Sequence, residues 1–157
     1  MEKLEKTYER SQAAMMGTRL HEFCSECITL GIFLPNEPKT INLYVNDALD
    51  LGMEPEVTLY YSEHAFGTAD AISFKNDFLR IHDLKTGVSR SSMKQLEVYA
   101  ALFCLEYDID ESAIDMELRI YQSDEVLCHT PEVKDIGFII NKIVSFDKRL
   151  DEIKIGG

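Results

Sequence analysis

Residues 67–100 decide the fold, and they read GTADAISFKNDFLRIHDLKTGVSRSSMKQLEVYA. Within this stretch, residues 69–74 and 78–84 are largely apolar runs of strand length. Residues 75–77 between them have the composition of a tight turn. The pattern therefore predicts a β-hairpin in the middle of the chain.

The rest of the chain alternates between two kinds of periodicity. Apolar residues three and four positions apart are typical of amphipathic helices, and apolar residues two positions apart are typical of half-buried strands. The resulting order α, α, β, β, β, α, β, α predicts an α/β fold in which helices flank a mixed central sheet. Helices are predicted over residues 3–30, 40–51, 91–107 and 131–153, and further strands over residues 56–61 and 114–120.

Length and composition limit the class of protein. A chain of 157 residues favours one domain that spans residues 1–157. It has no run of roughly 18 apolar residues, as a membrane-spanning helix needs, and its first residues are charged, unlike those of a signal peptide. Four cysteines are too few for a disulfide scaffold in a chain of this size. We therefore expect a protein of the reducing cytoplasm that does not enter a membrane.

The charge is strongly acidic but unevenly distributed. Sixteen basic and 28 acidic residues give a net charge of -12, which argues against a polyanionic partner. Residues 75–94, however, contain five basic and two acidic residues. This stretch is the one part of the chain that we expect to meet phosphate, although a charge run is also common on an ordinary solvated surface.

Asp70, Asp83 and Lys85 are the residues on which a chemical function depends. Residues two apart in a strand share a face, so Asp83 and Lys85 point together, and the hairpin brings Asp70 beside them. Two carboxylates bind a hard cation such as Mg²⁺ or Mn²⁺, and a nearby ammonium group can stabilise an anion or orient a water. Phosphodiester hydrolysis needs this combination. An Asp-x-Lys sequence on a strand is also a common ion pair, and the residues alone leave that alternative open.

Four short motifs carry a resemblance to a known family. They are GTRLHEF at residues 17–23, GTAD at 67–70, DLKTG at 83–87 and QLEVY at 95–99. In this order and spacing the chain resembles the PD-(D/E)xK nuclease superfamily, most closely its RecB-like exonuclease branch, which includes phage-encoded members. The resemblance implies a restriction-endonuclease-like core and a metal-dependent nuclease.

The resemblance also implies roles for individual residues. It makes His21, Asp70 and Asp83 metal ligands, together with the main-chain carbonyl of Leu84. It makes Lys85 the catalytic lysine. Because an imidazole ligand suits Mn²⁺ better than Mg²⁺, we expect manganese to support activity at least as well as magnesium.

Residues on and before the next helix are expected to contact DNA. The resemblance places Gln95 and Tyr99, four residues apart on one helix face, near the scissile phosphate or the DNA backbone. Arg90 and Lys94 lie in the basic stretch beside the expected site, and we expect them to follow phosphates. Glu56, in the first strand, matches an acidic position often seen in the family and ranks below the others.

The expected function is that of a metal-dependent deoxyribonuclease, an exonuclease in preference to a sequence-specific cutter because the chain has no separate base-reading module. It would serve DNA recombination, repair or phage DNA processing in the host cytoplasm. The acidic charge then requires a homo-oligomer or a protein partner that delivers the DNA. Two alternatives stay open: a catalytically silent nuclease fold that acts as an interaction or inhibitory module, and an α/β domain in which Asp83 and Lys85 form only an ion pair.

Overall fold

The structure of the chain is a computed structural model that describes residues 2–156. A short 3₁₀ turn at Glu111–Ala113 is the only described element outside four α-helices and five strands. The helices are α1 (Glu2–Leu30), α2 (Thr40–Asp50), α3 (Lys94–Glu106) and α4 (Val133–Gly156), and the strands are β1 (Glu54–Ser62), β2 (Ala65–Lys75), β3 (Phe78–Leu84), β4 (Asp115–Gln122) and β5 (Glu125–His129).

The five strands form one mixed sheet in sequential order β1-β2-β3-β4-β5. Neighbouring strands are antiparallel except for β3 and β4, which are parallel because α3 carries the chain back across the sheet between them. The prediction of an α/β fold with helices flanking a mixed sheet is therefore confirmed. The predicted hairpin is also confirmed: Asn76 and Asp77 have φ of 53° and 58°, the positive values that a tight hairpin turn requires.

β5 is absent from the predicted elements, and β2 begins at Ala65, four residues before its predicted start. β5 has only five residues and its exposure does not alternate regularly, so it carries no clear two-residue pattern. The turn before it is recognisable, because Ser123 and Asp124 both have positive φ and belong to residue types that favour such turns. The turn at residues 123–124 therefore indicates the β4–β5 hairpin, whereas the sequence of β5 does not.

Helices cover both faces of the sheet and bury a core on each side. α3 and α4 pack on one face, and α1 and α2 pack on the other. The fully buried side chains of the first core include Leu79, Ile81, Leu96, Leu118 and Ile136, and those of the second include Cys24, Val45, Ala48, Leu84 and Tyr121.

The long first helix is confirmed, but its predicted apolar face is wrong over the first half. Residues 3–16 are all exposed, and Leu4 keeps 75% of its surface in contact with solvent. Burial begins at Gly17 and continues through Cys24 and Ile28, where α1 lies against α2 and the sheet. The exposed part of α1 is thus about 21 Å long, at 1.5 Å per residue.

A helix that crosses a membrane must be both long and apolar. None of the helices within residues 2–156 meets both conditions.

Candidate active site

The site forms where β2 and β3 separate. Their residue-by-residue pairing ends at Ala71 and His82, one position before Asp70 and Asp83. Beyond that point a side chain takes the place of the main chain: Asp70 Oδ2 accepts a 2.8 Å hydrogen bond from the Leu84 amide. The two carboxylates therefore lie side by side at the open end of the hairpin, as predicted.

His21 on α1 completes one side of the site. Its Nε2 lies 2.7 Å from the Leu84 carbonyl oxygen and 3.6 Å from Asp70 Oδ2, and its Nδ1 lies 2.8 Å from the Gly17 carbonyl oxygen. Because both carbonyl oxygens only accept, both ring nitrogens must donate, which requires the imidazolium form. Consistent with this, the nearby Asp70 carboxylate outweighs burial and raises the pKa of His21 to about 9.

The two carboxylates differ in how well they are compensated. Burial alone would raise the pKa of Asp70, but the nearby His21 imidazolium and the hydrogen bond from the Leu84 amide hold it below its ordinary value. Asp83 is only 5% exposed, and burial together with the nearby Asp70 raises its pKa to about 6, against the opposing effect of Lys85. The ionised form of Asp83 is therefore less well stabilised than that of Asp70.

Lys85 links the carboxylates to α3. Its Nζ lies 3.0 Å from Asp83 Oδ2 and donates a 3.2 Å hydrogen bond to Gln95 Oε1. The contact with Asp83 is an ion pair without hydrogen-bond geometry, so Oδ2 is buried with no hydrogen bond from residues 2–156. Gln95 Nε2 in turn donates to the Tyr99 hydroxyl at 2.9 Å. The structure thus joins Asp83, Lys85, Gln95 and Tyr99 in one polar chain.

Two glycines let these groups approach one another. A Cβ at Gly67 would lie 2.7 Å from Cε1 of the Tyr99 ring, and a Cβ at Gly17 would lie 2.7 Å from Thr86 Oγ1. Both distances are shorter than real carbon contacts allow, so only glycine fits without displacement. The glycine that begins the GTAD motif is therefore explained by the aromatic side chain of the QLEVY motif.

Glu56 belongs to the site more closely than its low rank suggested. It has φ of 53° within β1, a left-handed conformation that is strained for this residue type, and it lies opposite Asp70 between the pairs Pro55–Ala71 and Val57–Ala69. Burial and the neighbouring Asp70 raise the pKa of Glu56 above its ordinary value. Strain of this kind in a strand persists where a function or the surrounding packing holds it.

An open groove of about 980 Å³ runs along α1 to this site. His21, Asp70 and Glu56 lie in its wall, together with Glu22 and Glu26 from α1. Of residues 2–156, no lysine or arginine lines it. The groove therefore favours cations and repels a bare phosphate backbone.

The two basic residues assigned to DNA contact do not join this arrangement. Arg90 and Lys94 are exposed in and just after the segment between β3 and α3, and Arg90 lines a separate depression beside Glu125. The sequence analysis missed Gln122, which holds this segment: its Nε2 donates to the carbonyl oxygens of Gly87 at 2.8 Å and Ser89 at 2.7 Å. A single amide at the end of a strand gives no sequence signal for such a role.

A tighter group of potential ligands lies elsewhere. Glu63, His64 and Asp151 form the one trio of His, Cys, Asp or Glu in the described part of the chain whose ligand atoms all lie within 4.8 Å of one another, so His21, Asp70 and Asp83 are spread more widely. The trio was missed because Asp151 lies on α4, far from the turn before β2 in sequence. Lys154 Nζ is 2.8 Å from Glu63 Oε1, so an ammonium group already neutralises part of it.

The donors of the candidate site suit a hard divalent cation. Carboxylates, a main-chain carbonyl and an imidazole are ligands for Mg²⁺ or Mn²⁺, in contrast to the thiolates that softer metals select. Asp83 Oδ2 is buried, and the Lys85 ammonium group 3.0 Å away is in an ion pair with it that lacks hydrogen-bond geometry. Asp70, Asp83 and the Leu84 carbonyl therefore fit such a cation, and His21 can join them once its Nε2 proton has been lost.

Comparisons with known proteins identify a family but no function. A family model described as "Protein of unknown function (DUF2800)" matches residues 50–134, a range that includes Asp70, Asp83 and Lys85 but not His21. No curated protein matches the sequence. One similar solved structure, the crystal structure of SSO0001, is 16% identical with a TM-score of 0.41, and the match covers 92% of this chain and 68% of that one.

Proposed function

The chain belongs to the DUF2800 family, whose description gives no function, and we propose from the geometry of the site that it is a metal-dependent DNA nuclease of the PD-(D/E)xK type. One observation carries the proposal: Asp70 and Asp83 meet at the open end of a hairpin, with Lys85 3.0 Å from Asp83 and His21 3.6 Å from Asp70. A buried, imperfectly compensated carboxylate costs stability, and such costs are found mainly where a function requires them.

Each residue has a role in this proposal. Asp70, Asp83, the Leu84 carbonyl and, after loss of its Nε2 proton, His21 would hold Mg²⁺ or Mn²⁺, and such a cation would supply neutralisation of the phosphate charge and acidification of a water. Lys85 is placed to orient the attacking water and to stabilise the charge that builds up on the phosphate oxygens. Gln95 holds the Lys85 ammonium through the 3.2 Å hydrogen bond and thereby fixes its direction.

The DNA must approach from the α3 side, because the groove along α1 is acidic. Lys94 begins α3, Arg90 lies in the segment before it, and both are exposed; they are the residues that we propose follow the phosphates. With a net charge of -12, productive binding needs a homo-oligomer or a protein partner that brings DNA to the site. The preference for free DNA ends remains part of the proposal, since no described element offers a separate base-reading surface.

A cytoplasmic location, including that of a phage protein in its host, belongs to the same proposal. All four cysteines are free, and Cys24, Cys27 and Cys104 are buried as thiols. Burial raises the pKa of Cys24 to about 12 and that of Cys104 to about 11, so neither is a reactive thiolate at neutral pH. Free thiols of this kind suit a reducing compartment.

The direct test compares end-labelled linear DNA with closed circular DNA in the presence of Mg²⁺ or Mn²⁺. Wild-type protein should release nucleotides from linear DNA only, whereas Asp83→Asn and Lys85→Met should release none and Lys85→Met should still bind DNA. Lys134→Met, a change at an exposed lysine on α4, is the matched control and should retain full activity. A wild type as inactive as its variants on DNA and RNA, with no Mn²⁺ binding by calorimetry, refutes the proposal.

A catalytically silent interaction module is the second candidate, and the charge of the groove favours it. Glu22, Glu26 and Glu56 would suit a lysine- or arginine-rich peptide better than a nucleic acid. This candidate expects such a peptide to bind in EDTA, and Glu22→Gln with Glu26→Gln to weaken binding at least about tenfold. Under the nuclease proposal the same double variant should leave DNA cleavage unchanged.

A further inference from the structure

The outer side of α4 carries an unpartnered apolar surface. Phe138 and Phe146 are 61% and 56% exposed, although an aromatic side chain is among the most favourable to bury. Together with Val98 of α3 and the partly buried Ile143, they line a concave surface of about 690 Å³. Single exposed apolar residues need no explanation, but a contiguous group of this kind marks an interaction surface.

The residues of this surface follow a helical stripe with opposite charges at its two ends. Asp135, Phe138, Lys142, Phe146 and Arg149 recur at steps of three and four residues, and all five are exposed. Such spacing places them on one face of α4. Within residues 2–156, neither Asp135 nor Arg149 has an ion-pair partner.

We propose that this stripe, from Asp135 to Arg149, is the interface of a homodimer in which α4 packs antiparallel against α4 of a second copy. Both the apolar and the charged positions are symmetric about Lys142. A two-fold axis there places Phe138 against Phe146 of the second copy and Asp135 against Arg149 of the second copy, each contact occurring twice. A surface that is complementary to itself in this way fits a second copy better than an unrelated protein.

Lys142, the charged residue at the centre of the stripe, opposes this packing only weakly. Lys142 lies near the axis, where the two ammonium groups would repel each other. Its Nζ is 4.7 Å from the centre of the Phe138 ring, so the charge is directed along the helix and away from the axis. The stripe spans 15 residues, or about 22 Å, which is long enough for a helix pair that also recruits Val98 from α3.

Charge reversal tests the symmetry directly, with sedimentation velocity on the full chain as the measurement. Asp135→Arg alone and Arg149→Asp alone should each weaken dimerisation at least about tenfold, because each creates two like-charge pairs across the axis. The double variant Asp135→Arg/Arg149→Asp should restore the wild-type constant. A wild type that stays monomeric at about 100 μM, a range where even weak interfaces associate, or a double variant no better than the single ones, overturns the proposal.

A cysteine at the axis provides a second, geometric test. In a Cys128→Ser background, Lys142→Cys should form a disulfide-linked dimer on mild oxidation, because facing positions of packed helices lie within disulfide reach. Lys148→Cys, on another side of α4, is the matched control and should remain monomeric. Equal cross-linking of the two variants would indicate random collision and would contradict the interface. Neither test depends on nuclease activity.

Discussion

The substitution Asp83→Asn should make the protein more stable and inactive at the same time. In an ordinary surface ion pair, removing one partner weakens the fold slightly. At this site the reverse is expected, because the Asp83 carboxylate is buried beside Asp70 and the Lys85 ammonium only partly compensates it. The neutral amide of asparagine has nearly the same shape and carries no charge to desolvate.

The size of the effect follows from the pKa of Asp83. It rises from 3.8 to about 6 on folding, and at 1.36 kcal/mol per unit this corresponds to about 3 kcal/mol. Because the folded state binds this proton more tightly than the unfolded state, protonation of Asp83 favours folding. The stability from the raised pKa is complete below pH 3.8 and is lost as the pH rises through about 6. Asp83→Asn should therefore gain about 3 kcal/mol at pH 8 and about half of that at pH 5.

Urea denaturation in EDTA at pH 8 and pH 5 measures this gain, and nuclease assays with Mn²⁺ measure the loss of activity. Asp115→Asn, a change at an exposed carboxylate at the start of β4, is the control and should alter stability by less than about 0.5 kcal/mol at either pH. If Asp83→Asn is less stable than wild type at pH 8, the carboxylate is part of a stabilising ion pair and the reasoning from its burial fails.

Three further predictions concern other contacts of the site. Gly67→Ala should cost about 1–3 kcal/mol and reduce activity, because its Cβ would lie 2.7 Å from the Tyr99 ring, and adding Tyr99→Leu should recover most of the stability in thermal unfolding. Gln122→Glu replaces two donated hydrogen bonds with repulsion between oxygens, so trypsin should cut after Arg90 faster than in wild type, at unchanged global stability. His21→Ala should bind Mn²⁺ at least about tenfold more weakly, and calorimetry in buffers of different ionisation enthalpy at pH 7.5 should show that the proton released by wild type on binding is no longer released.

Much of the fold could be predicted because local sequence patterns agree with the secondary structure that forms. Asn76 and Asp77 identify the hairpin, and the alternation along residues 114–120 identifies β4. The errors have physical causes. A helical pattern such as that of Leu4 and Tyr8 records where apolar residues lie and not whether anything covers them, so exposure of the first half of α1 could not be foreseen.

The residues of the candidate site could be proposed from the sequence, but the distances and conformations within it could not. Asp83 lies near the end of β3 and Lys85 directly follows that strand, and their two-residue spacing and the hairpin predicted the proximity of both to Asp70. Nothing in the sequence indicates that Glu56 adopts a positive φ opposite Asp70, since this depends on the register between two strands. The imidazolium state of His21 depends on the Gly17 carbonyl, one turn earlier in α1, and on the Leu84 carbonyl, which is 63 residues away in sequence.

The contact between α1 and Leu84 has a consequence for local unfolding. His21 and Leu84 are 63 residues apart in sequence, and the hydrogen bond between them helps to hold a helix whose first half is exposed to solvent. Such a helix opens more readily than the sheet, so its amides should exchange with deuterium early. A cation bound by both α1 and β3 would hold the helix against the strand. The amides of residues 17–30 should then exchange with deuterium as slowly as those of β3. If the proposed cation site exists, cation binding and docking of the amino-terminal helix are therefore coupled parts of one equilibrium.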